Sequence, residues 1–337
     1  MGSGFRAHSG LAGDPVEGLE SRPRLAIRTF LDEMDKSQKH VSVCICTYQR
    51  PQMLGRLLKE LDRQETGGLF TYSIVVADND RLQSAAQVVS EFAAVSSIPV
   101  RYCVQPQQNI ALTRNMALRN ASGDYIAFID DDEFPTGNWL LTLFETSTEY
   151  GADGAVGPVK PYFYEKPPKW LVKGGFHERT SYTTGLVIDW RKGRTNNLLF
   201  KRAILTPEAQ AFRPEFLIGE DQDFFRRMIE RGHSFVWSNE AVVYEVIPQS
   251  RWKRSFLLRK ALFQGALDPA HPDVGLRNIA KSVIAVPSYS AALPFALFAG
   301  HHIFMTVLVR LFYHIGKLLG VLRIRPIKGA YVTTGDC

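Results

Sequence analysis

The chain has 337 residues, 45% of them hydrophobic and 22% charged, which is enough to bury one large or two modest cores and too apolar for a disordered polymer. Its net charge of +6 is uneven: residues 251–337 carry +9, from twelve Lys or Arg against Asp268, Asp273 and Asp336, and the first 250 residues carry −3. No stripe of Arg and aromatics on a nucleic-acid-binding motif accompanies that charge, so no nucleic-acid partner is expected.

Residues 1–38 are rich in Gly, Ser, Arg and Glu and contain no apolar secretion core. They are expected to form a flexible tail, with a short helix near "LAIRTFLDEMD". Cys44, Cys46, Cys103 and Cys337 lack zinc-ligand spacing, and three of them sit in apolar runs. That pattern predicts buried free thiols in a reducing compartment rather than disulfides.

The runs "VSVCICT" (41–47), "YSIVVADND" (72–80), "IPVRYCV" (98–104) and "DYIAFIDDD" (124–132) predict strands that end in polar residues. Between them "PQMLGRLLKELDRQ", "RLQSAAQVVSEFAA" and "ALTRNMALRNA" have helical spacing. Alternation of this kind predicts an α/β fold with a mostly parallel sheet and helices on both faces, and ligands in such sheets bind beyond the carboxyl ends of the strands. Thr47 and Tyr48, Asp78 to Asp80, and Asp130 to Asp132 therefore gather on one rim. No Gly-x-Gly-x-x-Gly follows the first strand and no Gly-Lys-Ser is present, which disfavours a dinucleotide dehydrogenase and a P-loop fold.

On that rim, "FIDDDE" places like charges where they resist leaving water unless a cation or a solvated turn relieves them. Asp130 and Asp132 share one side of an extended chain, and Asp131 points elsewhere. Asp78 ends a strand where its carboxylate can accept from a base N–H; it and Asp80 are otherwise turn formers. Tyr48 can lie against a base or pack in the core. Arg50 precedes Pro51, a good first residue for a helix.

In "NIALTRNMAL", Asn109, Arg114 and Asn115 surround a helix start, and Arg114 either bridges a diphosphate and the acidic cluster or is a surface arginine. Asn196 and Asn197 can bond sugar hydroxyls or make a turn. "GEDQDFFRRMIERGH" reads as a turn at Gly219, a helix with Glu220 and Asp221 in its first turn, and a stop at Gly232. Carboxylates there stabilise the helix with no chemistry required, or one of them acts as a general base. Glu245 can bind a metal through oxygen or pair with Arg251. His233, His301 and His302 have no ligand-like spacing.

Past residue 250 the chain is both basic and apolar. Residues 283–299 approach the length of a membrane span but contain Pro287 and Pro294. Arg310, His314 and Lys317 give the next helix one polar stripe, which suits a helix lying in a membrane interface, and "RWKRSFLLRK" (251–260) can do likewise. Affinity for anionic lipid is expected here; an apolar dimer contact or a helix buried on the core is the alternative.

Taken together, "VSVCICTYQRP", "VVADND", "NIALTRNMAL", "FIDDDEFP" and "GEDQDFFRRM", in that order and spacing over about residues 40–260, resemble the family 2 glycosyltransferases of the GT-A fold. "FIDDDE" and "VVYEVIPQSR" further resemble bacterial exopolysaccharide transferases of the succinoglycan-assembly type. The resemblance implies a GT-A domain over 39–250, with a nucleotide-sugar-binding half (39–135) and an acceptor half (136–250), followed by a membrane-associating region (251–337). It implies inverting transfer of a hexose from a UDP-sugar, with Mn²⁺ or Mg²⁺, to a saccharide or lipid-linked saccharide acceptor at the cytoplasmic face of the inner membrane. By the family pattern Asp132 touches the metal and Asp130 the metal, ribose or sugar. Glu245 stands where many relatives carry a His ligand. Thr47, Tyr48, Arg50, Asp78, Asp80, Asn109, Arg114, Asp131 and Asn197 fall on the donor side, Glu220 and Trp139 on the acceptor side, and Asp221 is the base. Many members have Gly where Ala111 stands and one more residue before the arginine. A metal-dependent phosphohydrolase and a non-catalytic saccharide-binding module are the competing functions.

Overall fold

Strand and helix alternate from the start of the computed structural model, which describes residues 38–324 apart from 207–209, 217–218 and 271–274. The expected N-terminal tail, except Gln38, and Cys337 lie outside the described residues. The first half runs β1 (Lys39–Thr47), α1 (Pro51–Leu61), β2 (Phe70–Asp78), α2 (Ala86–Ala93), β3 (Val100–Val104), α3 (Ile110–Asn120) and β4 (Tyr125–Asp130). The chain continues through β5 (Glu133–Pro135), α4 (Trp139–Glu149), β6 (Gly154–Val156), β7 (Val159–Tyr162), α5 (Lys169–Lys173), β8 (Asn197–Lys201), α6 (Glu220–Glu230), β9 (Phe235–Trp237) and β10 (Val243–Val246).

Seven strands form one sheet in the order β3-β2-β1-β4-β8-β6-β9. β1 to β4 pair in parallel, while β8 runs antiparallel to both β4 and β6. Because both faces are covered, β1 is apolar almost throughout. Val41, Val43 and Ile45 join a core with Leu54, Leu57 and Phe144, whereas Cys44 faces the opposite core with Phe128, Phe200 and Phe224. A second sheet, β5-β10-β7, stands at the carboxyl end of β4. Burial pushes the thiols of Cys44, Cys46 and Cys103 above their ordinary range, and all three are free.

Local chemistry sets the helix starts. Pro51 opens α1 at the position where a missing N–H costs nothing. The Asn109 side chain accepts the Leu112 N–H at 3.1 Å and caps α3, a contact whose loss costs about 1 kcal/mol. Gly219 takes φ +81° immediately before α6, and Gly232 takes φ +93° just beyond it, as the sequence predicts.

Three helices complete the chain: α7 (Arg254–Leu267), α8 (Leu276–Ala299) and α9 (His301–Val321). Pro287 and Pro294 stay inside α8 rather than ending it. α7 and α9 touch along glycines. A Cβ on Gly265 would fall 2.0 Å from the Tyr313 carbonyl oxygen, and one on Gly316 2.2 Å from that of Leu262.

That contact corrects the expected polar stripe. Lys317 is buried and pairs with Asp268 at 2.5 Å, and His314 meets Ser282 at 2.9 Å, because this face of α9 lies against neighbouring helices. Arg310 alone of the three stays exposed. α8 and α9 are long and apolar enough to cross a membrane by length and composition alone, and α8 exposes Val283, Ile284, Phe295, Leu297 and Phe298.

Candidate active site

Parallel pairing sets Cys46 of β1 beside Asp130 of β4, which brings the polar residues beyond both strands together. Thr47 Oγ1 donates to Asp131 Oδ2 at 2.8 Å, and Arg50 Nη1 donates to Asp131 Oδ1 at 2.9 Å and to Asp132 Oδ2 at 3.2 Å. Asp131 thus turns toward the β1–α1 turn and shares the Arg50 guanidinium with Asp132. Asp132 Oδ2 also accepts from Arg251 Nη2 at 2.8 Å. The second sheet supplies the rest: β5 and β10 are antiparallel with Glu133 opposite Glu245. Glu245 accepts from Arg251 at 2.8 Å and from Arg179 at 2.6 Å, and buried Glu133 accepts from Asn196 Nδ2 at 2.6 Å.

Negative charge is in surplus here. Burial pushes Asp130 up to about 6, against the pull of Arg114 and with the help of Asp132. Burial likewise pushes Asp131 up to about 7, opposed by Arg50, and it drives Glu133 well above the carboxylate range, with Asp130 and Asp132 adding to the effect. Among the described residues, neither the Asp130 carboxylate nor Asp132 Oδ1 accepts a hydrogen bond. Open oxygens and surplus charge fit a hard divalent cation, which takes one or two carboxylates and completes its shell from phosphates and water. No group of three or more His, Cys, Asp or Glu among the described residues is placed to hold a metal ion, so the protein would offer a cation two carboxylates and leave the rest of its shell to phosphates and water. Glu245 does not fit the cation, because both its oxygens are held by guanidinium groups.

Several expected donor contacts are spent inside the protein. Asp78 is fully buried and accepts from the Asp80 and Ala85 backbone N–H groups, both at 2.9 Å, and from the Tyr102 hydroxyl at 2.7 Å. This carboxylate fixes the turn into α2 and has no exposed face for a base. Asp80 accepts the Leu82 N–H at 3.0 Å, the turn role that its position allowed. Asn109 caps α3 and donates to the Pro214 carbonyl at 2.9 Å. Trp139 is fully buried, and its indole N–H donates to Asn197 Oδ1 at 2.8 Å. Asn197 Nδ2 donates to the carbonyls of Pro158 and Ala241 at 2.9 and 2.7 Å. Trp139 therefore cannot face an acceptor, and Asn197 has nothing left for a sugar. Tyr48 stays half-buried at the end of β1.

Arg114 is buried and pairs with Glu220 rather than hydrogen-bonding to the Asp130–Asp132 cluster, while its guanidinium lies 5.5 Å from the Phe212 ring. The pair ties α3 to the first turn of α6. Asp223, also buried, takes Arg227 at 2.8 Å and Arg213 at 3.6 Å. Asp221 differs from both. It is half-buried, accepts the Gln222 N–H at 2.8 Å, and makes no ion pair among the described residues.

Sequence reasoning missed Glu133, Arg179 and the grip of Arg251 on Asp132. Glu133 was visible as the fourth acid of the run. The arginines carried no local signal, since the β5–β10 pairing alone brings the segment after β10 to Asp132.

The model for glycosyl transferase family 2 matches residues 42–218. The chain is 32% identical over 235 residues to the succinoglycan biosynthesis protein ExoM of Rhizobium meliloti, covering 69% of this chain and 75% of that protein. It is 29% identical over 138 residues to chondroitin synthase of Escherichia coli, covering 40% of this chain and 20% of that enzyme. Among solved structures, mannosyltransferase PcManGT from Pyrobaculum calidifontis, in complex with GDP-Man and Mn²⁺, superposes with a TM-score of 0.56 at 15% identity. The match covers 89% of this chain and 95% of that one and is a likeness of fold.

Proposed function

The chain belongs to the family 2 glycosyltransferases and has their GT-A fold, and from that premise we propose that it moves a hexose from a UDP-sugar to an acceptor hydroxyl with inversion. The observation that carries the mechanism is the half-buried, unpaired carboxylate of Asp221 between two paired neighbours. Asp221 takes the proton of the acceptor hydroxyl as its oxygen attacks the anomeric carbon and the bond to the β-phosphate breaks. Asp130 and Asp132 would hold a divalent cation, which supplies charge neutralisation to the leaving diphosphate. Arg50 and Arg251 fix Asp132, and Thr47 fixes Asp131, so the rim is ordered before the donor arrives. Tyr48, with Thr47, flanks the uridine.

ExoM, whose name assigns it to succinoglycan biosynthesis, supports a role in building a bacterial exopolysaccharide or cell-surface polysaccharide. The Mn²⁺ and GDP-Man of PcManGT support a metal-assisted nucleotide-sugar donor. The exposed apolar face of α8, together with the basic C-terminal quarter, supports a lipid-linked acceptor at the cytoplasmic face of the inner membrane.

A thermal-shift panel of UDP- and GDP-sugars with and without Mn²⁺ tests the donor and the metal. UDP-sugars should stabilise the chain only with metal, by about 2.7 kcal/mol at a ligand concentration a hundredfold above Kd. Asp132→Ala should abolish that gain. Equal stabilisation in chelator, or by GDP-sugars instead, would overturn the metal or the uridine assignment. UDP release that is no faster with acceptor than without would return the site to a phosphohydrolase.

A further inference from the structure

β4 and β8 pair antiparallel with Ile129 opposite Asn197, so Asp130 and Asn196 stand side by side one step beyond that pair, at the carboxyl end of β4. Side chains alternate between the two faces of a sheet. Ile129 lies in the core with Trp139, to which Asn197 bonds, whereas Phe128 and Leu198 lie in the core that α3 and α6 cover. By that alternation Asp130 and Asn196 continue the second row, and Arg114 of α3 accordingly pulls on Asp130. Asn196 is therefore on the sheet face served by the helix that Asp221 heads, beside a carboxylate proposed to hold the cation.

Asn196 is only 6% exposed. Its Nδ2 donates to Glu133 Oε1 at 2.6 Å, and Glu133 Oε2 accepts the Asp130 N–H at 3.1 Å, so a single carboxyl group links the amide to the end of β4. That contact accounts for one end of the amide. Oδ1 finds no donor among the described residues, and it is not among the buried atoms sealed off without a partner, so it opens to solvent. Asn197 supplies the contrast: its Oδ1 accepts from the Trp139 indole and its Nδ2 donates to two carbonyls, which leaves neither end open. Asn196 also forms part of the wall of a cavity of about 250 Å³ with Gly157 and Arg179, and Arg179 grips Glu245, the residue across from Glu133. A buried amide held at one end keeps its open oxygen in a fixed direction, which a solvated surface asparagine does not.

We propose that Asn196 sets the donor's sugar specificity: its Oδ1 accepts a hydrogen bond from one hydroxyl of the transferred hexose. This rests on the reading of Asp130 and Asp132 as the diphosphate end of the donor and of Asp221 as the base. The transferred sugar has to lie between those two, bonded to the β-phosphate on one side and approached by the acceptor oxygen on the other, and Asn196 stands on that face next to Asp130. A neutral amide suits the task, because the rim already carries surplus negative charge and a further carboxylate would add to it. A site that hydrogen-bonds a hydroxyl rejects the analogue that lacks it, since its own buried group is then left unmatched. Asn196 thereby distinguishes hexoses by the presence of a hydroxyl at one position rather than by size or charge.

Calorimetric titration of the full chain with Mn²⁺ tests the assignment. The probes are UDP, UDP-glucose, UDP-galactose and the 2-, 3-, 4- and 6-deoxy forms of both sugars. With the tighter of the two hexoses, removing one particular hydroxyl should weaken binding about tenfold, the scale of one hydrogen bond. Asn196→Ala should weaken the intact hexose by about the same factor, should not weaken the donor lacking that hydroxyl any further, and should leave UDP unchanged. That non-additivity separates reading a hydroxyl from merely holding Glu133, a role whose loss would weaken intact and deoxy donors alike. Deoxy donors that all bind like the intact hexose overturn the proposal on the parent chain alone, whether or not the variant folds. Equal weakening of the intact donor and every deoxy donor in Asn196→Ala overturns it as well. Failure of UDP itself to bind the parent chain would instead overturn the donor reading, and the role of Asn196 with it.

Discussion

Two acidic knots, Asp130–Glu133 beyond β4 and Glu220–Asp223 at the head of α6, look alike as strings of letters and differ in how their charge is met. In the first, the carboxylates are crowded, several oxygens stay open, and burial and mutual repulsion lift Asp130, Asp131 and Glu133. In the second, Glu220 has Arg114 and Asp223 has Arg227, and only Asp221 is left over. A collective surplus calls for a cation shared among several groups. A single unmatched carboxylate beside paired neighbours is suited to moving one proton. The pattern of compensation, rather than the number of acids, separates the two proposed roles.

The sharpest way to break this contrast is Asp221→Asn. Asp221 sits in the first turn of α6 behind the Gly219 cap, and Asn there keeps an oxygen for the Gln222 N–H and loses at most about 1 kcal/mol of dipole energy, so the melting temperature and UDP affinity should stay near the parent values. Turnover with a competent acceptor should fall about a hundredfold to ten-thousandfold, the usual range for removing a general base. Near-parental turnover would falsify the assignment, with Glu220→Gln and Asp223→Asn as the controls that locate the true base.

Next in size is the buried pair beside it. Arg114→Met leaves Glu220 unmatched at the head of α6 and should cost about 3–5 kcal/mol in urea unfolding. Adding Glu220→Leu should recover much of that loss, since two apolar groups no longer leave a stranded charge. If the single variant loses less than about 1 kcal/mol, the second knot is not balanced in the way described here.

The smallest effect concerns pH and the first knot. Asp130 and Asp131, raised to about 6 and about 7, keep protons in the folded chain that the unfolded chain has already released. Without metal, stability should therefore fall as pH rises from about 4 through 7, since over that window the folded state binds more protons. A divalent cation needs the ionised carboxylates, so stabilisation by Mn²⁺ with UDP should shrink as pH drops from about 7 to about 5. Melting curves that show a metal effect independent of pH across that range would remove the carboxylate surplus from the argument.

Much of the frame was legible in the sequence because its signals are local. Strand runs ending in Thr47, Asp78 and Asp130, Pro51 at a helix start, and Gly219 and Gly232 around α6 all follow from neighbours in the chain. Side-chain roles were harder to read. Asp78 has the same flanking residues whether it reads a base or holds a turn, and the deciding partners, Ala85 and Tyr102, arrive through packing of α2 and β3. Trp139 and Asn197 find each other across 58 positions, and Arg251 reaches Asp132 across 119. The stripe on α9 failed for the same reason, since periodicity tells which residues share a face but not what that face meets.

The glycine contact between α7 and α9 has a mechanical consequence. Where backbones touch with no side chains between them, two helices have little room to slide or roll, and they move as one beam. α7, 14 residues and about 21 Å long, begins three residues after Arg251, whose guanidinium grips both Asp132 and Glu245. Were α8 and α9 to rest on a membrane, as proposed above, the acidic rim would be carried at a set height and angle over it. A long acceptor would then have to bring its hydroxyl to that level, and the beam would work as a ruler.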